Sequence, residues 1–73
     1  MQYAVVIEKG EANSAAYVPD LPGCVAAGET LEETRRLIRE AIPLHIEMMK
    51  KSGETVPEPS SYAELIEVHA SAA

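Results

Sequence analysis

Ser14-Ala15-Ala16-Tyr17-Val18-Pro19-Asp20-Leu21-Pro22-Gly23-Cys24-Val25-Ala26-Ala27-Gly28-Glu29-Thr30-Leu31-Glu32-Glu33 is the stretch whose reading decides the fold. Two short extended runs, 14–18 and 24–28, flank a double-proline loop, and a helix start follows at once. Each proline biases the residue before it, Val18 or Leu21, toward extended geometry. Pro22-Gly23 suits the two central positions of a type II turn, where the second residue needs positive φ. The loop is expected to be stiff and exposed, with Leu21 as an apolar tip. Thr30-Leu31-Glu32-Glu33 is a capping box: Thr30 accepts from the Glu33 N–H and Glu33 reaches back to Thr30.

Upstream, residues 2–9 read as a strand, because Tyr3, Val5 and Ile7 alternate with Ala4, Val6 and Glu8 in a β-branched, apolar run. Gly10-Glu11-Ala12-Asn13 makes the turn of a hairpin with the strand at 14–18. Downstream, the helix is predicted to run from Leu31 to about Lys51. Lys50 and Lys51 suit its negative end, and Gly53 terminates it. At 100° per residue its broad apolar face is Leu31, Thr34, Leu37, Ile38, Ala41, Ile42, Leu44, His45, Met48 and Met49. Glu32 with Arg36 and Glu47 with Lys51 are the expected i,i+4 pairs. Pro43 lies on the polar side, where water satisfies the carbonyl it frees, so one bent helix is expected rather than two. After the stiff Val56-Pro57-Glu58-Pro59-Ser60-Ser61 connector, residues 62–70 alternate as a fourth strand, expected parallel to and beside the first.

The predicted fold class is therefore α+β: a two-layer β-β-β-α-β unit with one helix on a four-stranded mixed sheet. It occupies residues 1–70 as a single domain, with 71–73 expected as a disordered tail. The arithmetic of the chain agrees with one small domain. It has 73 residues, 47% hydrophobic, whose three aromatics are all Tyr, and one cysteine, Cys24. With neither Phe nor Trp the core is aliphatic, and with no disulfide available a partner copy is expected, as a homodimer or higher oligomer. A lone thiol and the lack of a basic n-region or long apolar run point to a soluble, cytoplasmic chain without membrane contact.

Charge narrows the function classes. Eleven Glu and one Asp against six Lys and Arg give a net charge of −6, which phosphate backbones repel. Direct nucleic-acid binding is not expected, and a basic protein is the natural complement. A two-metal nuclease needs converging carboxylates, but the interior positions of the first strand are Tyr3, Val5 and Ile7. His45 reads as a core or rim histidine, His69 as a surface residue and Cys24 as a small buried hydrophobe, since no base stands in sequence view of any of them. No catalytic residue, metal site or cofactor is predicted. Asp20, the only Asp, reads first as a turn residue bonding nearby backbone. With Leu21 and Pro22 it also makes a stiff recognition element. Exposed helix acids Glu33, Glu40 and Glu47 form a second candidate surface.

Tyr17-Val18-Pro19-Asp20-Leu21-Pro22-Gly23-Cys24-Val25-Ala26, Gly28-Glu29-Thr30-Leu31-Glu32-Glu33, Ala41-Ile42 and Pro57-Glu58-Pro59-Ser60, in this order and spacing, resemble the HicB antitoxin family. The resemblance covers the chain from Tyr3 to about Val68. It implies a partial, non-catalytic RNase H-like β-β-β-α-β domain. It also implies a partner, a small basic mRNA-cleaving HicA-type toxin, masked by direct occlusion. The residues expected to contact such a toxin are Asp20, Leu21, Pro22, Glu33, Glu40 and Glu47. The likeness is to the family's N-terminal domain. Longer members carry a C-terminal DNA-binding module beyond the part that this chain resembles, so the resemblance does not extend to operator binding. The alternative reading is an orphan, self-associating structural or regulatory domain without a toxin.

Overall fold

The computed structural model describes residues 1–70; the tail expected at 71–73 lies outside them. Three antiparallel strands and one helix make the fold: β1 (Val6–Lys9), β2 (Ser14–Tyr17), β3 (Val25–Gly28) and α1 (Leu31–Lys51), with sheet order β1-β2-β3. The Gly10 N–H donates to the Asn13 carbonyl at 2.7 Å and closes the first turn. Register then aligns Ile7, Ala16 and Ala26 across the three strands on the face that meets α1. Two of these are alanine, and Gly28 lies opposite Ser14. Small side chains let the helix approach: a Cβ at Gly28 would lie 2.8 Å from Glu33 Oε1 and 2.9 Å from Thr34 Oγ1.

The β2–β3 loop is two β-turns in series. The Leu21 N–H donates to the Val18 carbonyl and the Cys24 N–H to the Leu21 carbonyl, both at 3.1 Å. Pro19 and Pro22 each occupy the second position of a turn, where a fixed φ is favourable, and Gly23 supplies φ 82° in the second. Leu21 ends one turn and begins the next, so the chain reverses twice around it. This corrects the expectation of an exposed tip. Leu21 is 0% exposed and belongs to the core with Ala16, Val18, Cys24 and Ile38.

The helix bounds and caps agree with the sequence reading. Thr30 Oγ1 accepts from the Glu33 N–H at 3.0 Å. Glu33 Oε1 accepts from the Glu29 N–H at 2.7 Å, one residue before the expected Thr30. At the other end the Gly53 N–H donates to the Lys50 carbonyl and the Glu54 N–H to the Met49 carbonyl, with Gly53 at φ 75°. This is a Schellman termination, which left-handed glycine permits. Pro43 is accommodated inside one continuous helix on its exposed side. The apolar face is narrower than expected. Thr34 and Ile38 are buried and Ala41, Ile42, Ile46 and Met49 pack on the core, whereas Leu44 and Met48 are 62% and 67% exposed. Arg36 pairs with Glu40 at 3.5 Å instead of with Glu32. Both side chains are well solvated, so the choice between partners costs little.

The first strand begins at Val6 rather than at residue 2, and within one chain the sheet is three-stranded and antiparallel rather than four-stranded and mixed. Residues 62–70 form no strand. Tyr62, Leu65, Ile66 and Val68 are 86%, 101%, 74% and 77% exposed. This segment elongates the molecule to 54 × 27 × 16 Å and raises the radius of gyration to 14.9 Å, against about 11 Å for a compact chain of this length. Strand propensity is local, but a strand needs an edge to pair with, and residues 62–70 pair with neither edge of this sheet.

Candidate functional site

Asp20 is the most heavily engaged polar side chain. Its Oδ2 accepts the N–H groups of Ser60 and Ser61, both at 2.8 Å. Its Oδ1 accepts their hydroxyls at 3.1 and 2.8 Å. The backbone donors, that of Ser61 foremost, hold the Asp20 carboxyl at about 2, well below its ordinary 3.8; donors that prefer the ionised form lower an acid's pKa. Asp20 therefore clamps the connector to the β2–β3 loop. A turn residue was expected, but its partners lie 40 and 41 positions away. The doubled Ser60-Ser61 after Pro57 and Pro59 was the available signal. A second tie is the Tyr3 hydroxyl, which donates to the Pro57 carbonyl at 2.5 Å.

The six predicted contact residues separate into three groups. Asp20 is occupied by the serines and Leu21 is buried, so neither presents a free surface. Pro22 is exposed and joins His45, Met48, Met49, Ser52, Glu54 and Pro57 around a shallow cleft of about 230 Å³ at the end of α1. His45 is half-buried at the rim of this cleft and His69 is exposed, in keeping with the sequence reading. Glu33, Glu40 and Glu47 recur every seven residues, so they fall within an arc of about 40° on α1, opposite the core. Glu33 is partly used by the helix cap. Glu40 and Glu47 are exposed beside Leu44 and Met48. The outer face of α1 is thus a mixed stripe of two acids and two large apolar side chains, and it continues through Met48 to Pro22. Sequence reasoning assigned Leu44 and Met48 to the core; at 100° per residue Leu44 lies about 40–60° from Glu40 and Glu47, which was a signal for its exposure, whereas Met48 lies about 80–100° from them and about 20° from Ala41, so phase gave none.

Cys24 is buried, and that burial pushes its thiol up, which disfavours the reactive thiolate. Among the described residues no three His, Cys, Asp or Glu side chains converge on a point where a metal would sit. Among them, too, no helix is long and apolar enough to cross a membrane.

Comparison with known proteins places these features in a family. The model of the HicB-like antitoxin of bacterial toxin-antitoxin systems matches residues 3–71. A UPF0150 protein of Thermoplasma acidophilum is 44% identical over 71 residues, covering 96% of this chain and all of that one. An uncharacterized 14.9 kDa protein from the rep-hol intergenic region of Haemophilus phage HP1 is 39% identical over 66 residues, 90% of this chain. The chain spans half the length of that phage relative. A UPF0150 protein of Archaeoglobus fulgidus is 41% identical over 51 residues, 68% of this chain and 74% of that one. With the double-turn loop, the capped helix and nearly the full length matched, this chain belongs to the HicB-like antitoxin family of bacterial toxin-antitoxin systems.

Proposed function

We propose that this domain neutralises a small basic toxin of the HicA type in the cytoplasm by covering it, without chemistry of its own. The observation that carries the reading is the outer stripe of α1. Glu40 and Glu47 stand beside exposed Leu44 and Met48 on a rigid, doubly capped helix. Acids steer and orient a cationic partner, while apolar side chains that lose water supply affinity. Pro22 extends the surface at one end and Glu33 at the other. Asp20 and Leu21 act from behind, by holding the loop. The net charge of −6 favours the same partner. Direct contact with nucleic acid has no part in this reading. The assembled domain is proposed to reach the four-stranded, partial RNase H-like form only when a strand is added to the sheet.

The test is a complex with the toxin encoded beside this chain. Co-expression should yield a complex at micromolar concentration and restore growth arrested by the toxin. Glu40→Lys with Glu47→Lys should weaken the complex by about tenfold or more, through on-rate and salt dependence, with an unchanged helix spectrum. No complex and no rescue, or a double variant that binds like wild type, would sink the proposal.

A further inference from the structure

Two apolar surfaces among the described residues have no partner within the chain. The first is the extended segment at 62–70. Leu65, Ile66 and Val68 are almost fully in water, an arrangement that a small acidic chain has no reason to favour. The second is a groove of about 370 Å³ along the outer edge of β1, lined by Val5, Ile7, Ile38 and Ile42 with Arg35 and Arg39 at its rim. β1 is an edge strand of the sheet, so its outward N–H and C=O groups are a template for another strand.

We infer that a second copy of this chain donates its residues 62–70 to that edge, and that the exchange is reciprocal. Chemistry matches on both sides. Ile66 and Val68 fall on the same side of an extended strand and would enter the apolar groove. Glu64 shares that side and meets the Arg35–Arg39 rim. Among the described residues the ion pair formed is Arg36 with Glu40, which leaves both rim arginines to the incoming acid. The groove is lined by two cations and no acid; the segment carries two acids, Glu64 and Glu67, and neither Lys nor Arg. Geometry matches as well. The Asp20 clamp on Ser60 and Ser61 and the Tyr3–Pro57 bond fix the point from which the strand leaves. That point lies near residues 1–4, with which Ser61, Tyr62 and Ala63 line one open cleft. Pro57 and Pro59 stiffen the approach. Because each copy offers one strand and one groove, a twofold pair satisfies both and closes this interface. The inference does not depend on the antitoxin reading, since it needs no toxin.

The full chain is tested alone. Sedimentation equilibrium at tens of micromolar should give twice the chain mass of 7.9 kDa. A dimer reassembled from equal amounts of ¹⁵N-labelled and ¹³C-labelled chains should show interchain NOEs from Ile66 and Val68 to Val5, Ile7 or Ile42. Ile66→Glu should raise the dimer dissociation constant by at least about a hundredfold, because two such side chains are lost per dimer, with the helix spectrum kept. Arg39→Glu should weaken association, and adding Glu64→Arg should restore it. A 7.9 kDa monomer, NOEs found only within one chain, a dimer joined elsewhere, or a segment that orders only on a toxin would each overturn the inference.

Discussion

Leu21→Ala separates a core residue from a contact residue. Leu21 is completely buried between two β-turns, in contact with the cluster formed by Val18, Cys24 and Ile38. Truncating a fully buried leucine removes its transfer free energy and leaves a cavity, at about 2–5 kcal/mol in measured series. The loop is pinned at both turns, so collapse into the cavity is limited, and about 3 kcal/mol is expected. A domain of 73 residues has a total stability of only about 4–11 kcal/mol, so the variant should lose a large share of it. The assay is urea unfolding followed by the helix circular-dichroism signal. With a slope of about 1 kcal/mol/M for so small a domain, the midpoint should fall by about 2–3 M. Wild type and variant must be compared at one protein concentration, because association adds to apparent stability. Leu21→Met, which conserves volume, should cost less than about 1.5 kcal/mol and should leave toxin affinity unchanged. A loss below about 1 kcal/mol for Leu21→Ala, or toxin binding abolished by Leu21→Met in a folded domain, would refute the assignment of Leu21 to the core.

Three further outcomes follow from the same structure. The Asp20 carboxyl is held at about 2 against an ordinary 3.8, so the unfolded chain binds the extra proton between those values. The stability it contributes is complete above pH 3.8 and is lost as pH falls through 2. Asp20→Asn should remove that part of the pH dependence of the urea midpoint, and an unchanged profile would contradict the clamp. Gly28→Ala should destabilise by about 1–3 kcal/mol, because its Cβ would lie 3.0 Å from the Thr34 backbone nitrogen as well as against two side-chain oxygens; a neutral result in thermal unfolding would mean that β3 and α1 are not in close contact. Pro43→Ala should restore the bond to the Arg39 carbonyl. It would gain up to about 3 kcal/mol of helix propensity, offset by about 1 kcal/mol through a freer unfolded chain, for a net stabilisation of about 1–2 kcal/mol. A lowered melting temperature would show that packing depends on the proline.

The parts of the fold legible in the sequence are those specified by neighbours in the chain. Thr30, Glu33, Lys50, Lys51 and Gly53 mark the ends of α1 to within a residue, because capping is decided within one turn. Pro19, Pro22 and Gly23 announce both turns of the loop. What those turns enclose was not legible: whether Leu21 points to water or to Ile38 depends on the helix, which lies elsewhere in sequence. The same limit applies to 62–70, whose alternation is a strand signal that names no partner. At the candidate site, phase put Glu40 and Glu47 on the outer face of α1, where they are exposed, and counting a wide apolar face put Leu44 and Met48 in the core, where they are not. The Asp20 partners were missed because a local turn bond was the nearest explanation for a lone Asp.

The Asp20 clamp links these separate misses. Its four acceptor contacts go to Ser60 and Ser61 and to nothing in the sheet or helix. Losing them leaves the hairpin, both β-turns and α1 intact. What it loosens is the direction in which residues 62–70 leave the domain. A strand that departs from a fixed point has already lost much of the freedom that pairing with another chain would take from it, and preorganisation of this kind raises affinity without adding a contact. Asp20→Asn should therefore weaken association of the full chain more than it changes the unfolding of the body. Pro22, two residues along the same loop, should affect neither. On the two proposals above the double-proline loop would serve two surfaces: Leu21 anchors it from within, Pro22 would form part of the toxin surface, and Asp20 would aim residues 62–70 toward a second copy.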